Sequence, residues 1–271
     1  MALLARADLE SLLRAKRLDR TLTSALPSCS PNGAPDDLAI AATGLPPLDA
    51  WLDGGFPRGQ LSEVIGPRSS GRTSLLLSAL AAATARGELV ALVDALDRLD
   101  VASAQAAGVD LNSLLWIRGH VVSNPGMCRD TNQRALEQAV KALTLVLQAG
   151  NFGLVAFDVA GAPSDAIRRL PFTTWLRLQR MVEESQTACV LVGAERLARS
   201  SAGLTIELGI RDLGFGIRNS LGIRDSCGSR GIRFNGRMFD GIDIEARVIR
   251  SRARVHEEPV VALATSASRC A

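Results

Sequence analysis

Gly66-Pro67-Arg68-Ser69-Ser70-Gly71-Arg72-Thr73-Ser74 is the stretch on which the reading of this chain turns. The apolar, β-rich run Leu61–Ile65 precedes it, and a helical stretch, Thr73–Thr84, follows. Two glycines five residues apart let the backbone curl so that its N–H groups converge, and the helix start adds a partial positive charge. A loop of this kind, between a strand and a helix, is built to cradle phosphate oxygens. Gly66, Ser69, Ser70, Gly71, Arg72, Thr73 and Ser74 are the candidate phosphate-binding residues, with the Thr73 hydroxyl placed for Mg²⁺. Arg72 stands where such loops carry a lysine that reaches the β- and γ-phosphates. Arginine keeps the charge, but its planar head is too bulky to thread the loop as an ammonium does.

Outward from this loop, short apolar runs alternate with helical stretches. Leu89–Val93, Leu114–Ile117, Leu154–Phe157, Ala188–Val192 and Leu204–Leu208 read as strands, with helices over Gln133–Leu147 and Thr173–Glu184 between them. Strands with few polar interruptions, separated by helices, predict an α/β fold with a mostly parallel sheet buried on both faces. Asp158 ends one such strand, where a carboxylate orients the water shell of a nucleotide-bound Mg²⁺. Cys189 lies within an apolar run and reads as a small buried hydrophobe. Trp175, Leu178 and Val182, at helical spacing, read as core rather than as a base-stacking platform.

The two ends differ from this middle. Residues 2–24 predict an amphipathic helix with Leu4, Leu9, Leu12 and Leu13 on one face, followed by a linker rich in Pro, Gly and Ser. Residues 209–236 repeat Gly-Ile-Arg and are too glycine-rich for regular structure, so a flexible Gly/Arg-rich segment is expected. Beyond it, Ile242, Ile244, Ala246 and Val248 alternate with charged residues as in a half-exposed strand, and 259–264 can pair with it. The C-terminal strands are therefore antiparallel.

Composition excludes more than it selects. The 271 residues carry a net charge of +3, too mild to mark a nucleic-acid binder. Two of the 31 basic residues are lysines, Lys16 and Lys141, leaving 29 arginines, a bias expected of a GC-rich coding sequence. Arginines outnumber acids by five over residues 211–254, giving a patch that suits DNA phosphates, an acidic protein face or plain solvent. Five scattered cysteines, no Cys-x-x-Cys pair and two histidines argue against a zinc site. The lack of a signal-peptide pattern and of any long apolar run predicts a reduced, cytoplasmic location without a membrane span.

These motifs together resemble the RecA recombinase family. Thr43-Gly44, Leu48-Asp49, Gly54-Gly55 and Pro57-x-Gly59 lead into the loop as that family's sequences do, and Val93–Asp100 and Ala107–Leu111 match the segments beyond it. The resemblance runs from about Ala42 to Leu208. It implies four parts: residues 1–41 as helix and linker, 42–208 as a RecA-like core, 209–236 as the flexible segment, and 237–271 as C-terminal strands and tail. It also exposes departures. The family's catalytic glutamate falls at Leu96, its nucleotide-sensing glutamine at about Ala194, and its DNA-binding loops shrink to 160–171 and 196–203. No catalytic residue remains to be named, and weak ATP or ADP binding with Mg²⁺ is the most that the resemblance implies.

Arg168–Arg180 and Thr187–Val192 are more narrowly similar to the bacterial RecA-like proteins called ImuA. That resemblance implies an accessory role in SOS-induced, error-prone translesion DNA synthesis. The partners would be a RecA-type recombinase and translesion polymerase components, with at most a weak DNA contact. Leu9, Leu12 and Leu13, or Arg247, Arg250 and Arg252, are the candidate partner-binding residues. The competing readings are a DNA-dependent ATPase of recombinase type, and an inhibitor of a cell-cycle or DNA-repair target.

Overall fold

A computed structural model describes residues 40–121, 129–183, 185–198, 201–210, 232–235, 238–251 and 260–264. The expected N-terminal helix, its linker, most of the Gly/Arg-rich segment and Arg252 lie outside these residues. The lead-in segment forms strand β1 (Ile40–Ala41), helix α1 (Pro46–Trp51) and strand β2 (Phe56–Pro57), the two strands pairing antiparallel. Its resembling residues brace one another. Asp49 accepts hydrogen bonds from the Thr43 and Gly44 N–H groups at 2.7 and 3.2 Å, and Leu48 is fully buried beneath them. Arg58, between Pro57 and Gly59, donates to the carbonyls of Ile40, Gly153 and Gln186 and pairs with Glu88 at 2.7 Å.

The core alternates strand and helix: β3 (Leu61–Ile65), α2 (Arg72–Ala85), β4 (Val90–Asp94), α3 (Val101–Ala106), β5 (Leu114–Arg118), α4 (Arg129–Ala149) and β6 (Leu154–Asp158). It continues with α5 (Ser164–Arg168), α6 (Phe172–Glu183), β7 (Ala188–Gly193) and β8 (Leu204–Ile210). Strands β8, β3, β7, β6, β4 and β5 are parallel neighbours in that order. The expected α/β fold is present. All five residues of β3 and of β4, and all six of β7, are buried, as a sheet covered on both faces requires.

Side chains alternate between the two faces. Val64, Leu92, Val190 and Ile206 pack with Leu75 and Leu80 of α2, while Val93, Phe157 and Leu191 pack with Leu136 and Leu143 of α4 and Trp175 and Leu178 of α6. Trp175, Leu178 and Val182 are core residues, and Cys189 is wholly buried, its thiol pushed up to about 12 by that burial. Leaving β3, the chain crosses to β4 and β5 and returns through β6 and β7 to lie beside β3. The loops after β3, β6 and β7 therefore meet at one edge of the sheet, where α/β folds of this winding place their ligands.

Beyond β8 the sheet continues antiparallel through β10 (Met238–Ser251) and β11 (Val260–Ala264), with β9 (Ile232–Asn235) paired to β10. Two expectations need correction here. Strand β8 runs through Gly209 and Ile210, past the expected end at Leu208, because both pair with β10. Residues 232–235, expected to be irregular, form β9 because β10 begins at Met238 and offers them a partner.

Candidate functional site

The loop between β3 and α2 takes the conformation its glycines predict. Gly71 sits at the helix N-cap with φ 87°, and a Cβ there would collide with the Ile244 side chain of β10. A Cβ on Gly66 would strike the Leu208 carbonyl. The loop is thus seated against β8 and the antiparallel strand β10, and among the described residues no N-cap side chain hydrogen-bonds the start of α2. Ser69, at φ 62°, Thr73 and Ser74 are exposed. Ser70 is buried, and its hydroxyl has no hydrogen-bond partner among the described residues.

Arg72 does not follow the loop. Its side chain is 8% exposed, and Nη1 donates a 2.6 Å hydrogen bond to the carbonyl of Gly193 at the end of β7. Burial pushes the guanidinium below its ordinary value, Asp158 pulls it back up, and Arg68 pushes it down again. It stays protonated, since guanidinium does not deprotonate in proteins. A fixed cation therefore lies over the carboxyl end of β7, between the loop and Asp158.

Asp158 ends β6 directly beside Asp94, the last residue of β4. Burial raises its carboxyl to about 6 and the negative charge of Asp94 adds to the rise, against the lowering by the Ala160 N–H at 2.8 Å and by Arg72 and Arg98. Asp94 is itself 2% exposed: Oδ2 accepts from the Arg98 and Leu99 N–H groups and from Trp116 Nε1, and Oδ1 from the Leu96 N–H at 3.3 Å. These bonds shape the turn after β4. Leu96 packs against the hydrophobic cluster. Asp97, at φ 56°, turns away to Arg118, both carboxylate oxygens accepting at 2.7 Å. That guanidinium holds the Asp97 carboxyl below its ordinary value and also stacks on the Trp116 ring at 4.8 Å.

A cleft of about 450 Å³ joins these parts, lined by Arg68, Ser69, Arg72, Thr73, Asp94, Arg98, Asp158 and Ala194. It brings together the expected Ser69, Arg72, Thr73 and Asp158. Gly66, Ser70, Gly71 and Ser74 are not among its lining residues: the two glycines shape the loop and Ser70 supports it from within. Ala194 contributes only a methyl group. Arg68 and Arg98 were not among the expected site residues, and Asp94 entered the sequence reading only within the matching segment Val93–Asp100.

Glu63 was also missed, though a carboxylate inside the apolar run Leu61–Ile65 is itself a signal. It is wholly buried; Oε1 accepts from the Leu197 and Ala198 N–H groups at 2.7 and 2.6 Å, and Oε2 from Thr205 Oγ1 at 3.1 Å. The loop after β7 is tied to the strand that carries the phosphate-binding loop. Arg168, the last residue of α5, and Glu195, in the loop after β7, form an exposed pair at 3.0 Å. Of the candidate partner residues, Arg247 and Arg250 lie half-buried on β10, whereas Leu9, Leu12, Leu13 and Arg252 fall outside the described residues.

A family model of the RecA N-terminal domain matches residues 33–165, across the loop, Leu96 and Asp158. The core is RecA-like. This RecA-like core is 39% identical over 126 residues to the RecA protein of Clavibacter michiganensis, a match covering 46% of this chain and 31% of that one. It is 37% identical over 132 residues to RecA of Acholeplasma laidlawii, covering 48% of this chain and 36% of the relative. To RecA of Chlorobaculum parvum it is 32% identical over 181 residues, covering 59% and 48% respectively. The chain spans less than half the length of these curated relatives. No helix among the described residues is long and apolar enough to cross a membrane.

Proposed function

We propose that this RecA-like domain is a non-catalytic accessory module of SOS-induced, error-prone translesion DNA synthesis, acting through contacts with a recombinase or polymerase partner. The observation that carries the non-catalytic part is the Arg72 guanidinium anchored on the Gly193 carbonyl. The lysine that this loop type uses is gone, and the arginine in its place is anchored on the end of β7. Leu96 deepens the loss, because a leucine packed against the core cannot take a proton from an attacking water. A scaffold that keeps the fold and gives up the chemistry is suited to offering a surface.

The translesion part rests on the resemblance of Arg168–Arg180 and Thr187–Val192 to the ImuA proteins. The recombinase partner rests on the shared core, since subunits of like shape present matching heterologous surfaces. Damage-induced mutation frequency tests both parts in cells of the natural host lacking this chain. The frequency should fall in the deletion and be restored equally by the wild type and by an Arg72→Ala, Thr73→Ala variant. It should not be restored by Leu9→Asp, Leu12→Asp. Unchanged mutagenesis in the deletion overturns the assignment, and failure of the Arg72 and Thr73 variant shows that the nucleotide site is used.

A further inference from the structure

We infer that the cleft of this RecA-like core binds phosphate-bearing anions without a divalent cation, Arg72 supplying the charge that Mg²⁺ supplies in loops of this type. The inference rests on the reading above that the site no longer turns over nucleotide. It starts from the donor set. Three guanidinium groups, Arg68, Arg72 and Arg98, and two carboxylates, Asp94 and Asp158, line the cleft, so its fixed charge is already positive by one.

A Mg²⁺ ion needs near-octahedral oxygen donors and a net negative surrounding. The candidates are Thr73 Oγ1 and the carboxylates of Asp158 and Asp94. Asp94 Oδ2 is taken up by the Arg98 and Leu99 N–H groups and by Trp116, while Oδ1 accepts one 3.3 Å bond from the Leu96 N–H. Asp158 gives one oxygen to the Ala160 N–H and faces the Arg72 cation. That leaves a hydroxyl and parts of two carboxylates, beside the buried positive charge of Arg72 in a cleft whose fixed charge is already positive. These residues do not fit the ion.

They do fit a phosphate group. Among the described residues, one guanidinium donor of Arg72 is used, on Gly193, and the fork geometry presents the others in a plane. Exposed Arg68 and Arg98 face the same cleft, as do the hydroxyls of Ser69 and Thr73 and the start of α2. A diphosphate in the cleft meets the guanidinium groups of Arg68, Arg72 and Arg98. A free Mg²⁺ ion would compete with the arginines for the same oxygens and gain nothing.

Isothermal titration of the full chain with ADP, and separately with inorganic pyrophosphate, tests this in excess Mg²⁺ and in EDTA. The expected Kd for either probe changes by less than about threefold between the two conditions. Arg72→Ala should weaken binding roughly ten- to hundredfold in EDTA. Arg72→Lys, which keeps the charge and frees the ground beside Asp158, should bind more tightly with Mg²⁺ than without it. Binding of ADP but not pyrophosphate assigns the site to nucleotides, and binding of both assigns it to the diphosphate itself. Wild-type binding at least about tenfold tighter in Mg²⁺ overturns the inference, as does no heat with either probe at millimolar concentration. Neither outcome touches the non-catalytic reading, which fails only if the chain hydrolyses ATP in a separate turnover assay.

Discussion

The Nη1 of Arg72 lies 2.6 Å from the carbonyl oxygen of Gly193, so the first residue of α2 is tied to the last residue of β7. A lysine at this position would have one mobile ammonium to lend to a bound phosphate. The arginine is instead buried across the sheet edge, within the field of Asp158. The cleft has a built-in cation where a nucleotide-driven switch would need an exchangeable one. Each part of the site then has a measurable consequence.

Asp158 makes stability depend on pH. Its folded carboxyl is raised to about 6, so folding favours the protonated form. The contribution is fully present below the unfolded carboxylate range near pH 4 and is lost as pH rises through about 6. Asp158→Asn removes that loss. It should raise stability by about 2–3 kcal/mol at pH 7.5, a shift of several degrees in Tm, and change it little at pH 4. Thermal unfolding of both proteins across this range checks it; an Asn variant less stable at pH 7.5 would mean that the attraction to Arg72 outweighs burial.

Gly71 and Ile244 report how the loop is seated. Gly71→Ala places a Cβ on a residue at φ 87° and into the Ile244 side chain, costing about 2–4 kcal/mol from strain and overpacking together. Trimming the neighbour with Ile244→Ala should cost about 2–5 kcal/mol alone, because it empties a buried site. The double variant should lose at least about 1 kcal/mol less than the sum, since the collision is gone. Urea unfolding of the four proteins gives the cycle, and strict additivity would show that β10 does not brace the loop.

Glu63 ties the loop after β7 to β3. Glu63→Leu strands the Leu197 and Ala198 N–H groups and should cost about 3–5 kcal/mol. Glu63→Gln keeps an acceptor for both and should cost about 1 kcal/mol. Amide hydrogen exchange supplies the second readout: protection at Leu197 and Ala198 should drop in the Leu variant and persist in the Gln variant. Equal stability and equal protection in both would show that the carboxylate is not what holds the loop.

The sheet was readable because its strands are buried on both faces, so runs such as Leu154–Phe157 and Ala188–Val192 contain almost nothing polar. The loop was readable because glycine and hydroxyl positions are set by backbone geometry, which Gly66 and Gly71 show directly. Pairing beyond the core was not: Ile232–Asn235 is a strand only because Met238–Ser251 lies beside it, and that contact leaves no periodicity in a four-residue run. The direction taken by Arg72 was half legible. Its bulk predicted that it would not thread the loop, but the acceptor it found, a backbone carbonyl 121 residues away, has no side-chain signature. The same holds for Asp94, whose partners are three N–H groups and one indole.

ATP turnover by the purified chain, with and without single-stranded DNA, tests the loss of catalysis most directly. Phosphate release should match the protein-free control in both cases. Arg72→Lys should leave it there, because Leu96 still offers no base and Asp94 and Asp97 are already bound to the Leu99 N–H and Arg118. Turnover at about 0.1 s⁻¹ or faster in the wild type, well below typical enzyme rates but far above an uncatalysed reaction, would contradict it.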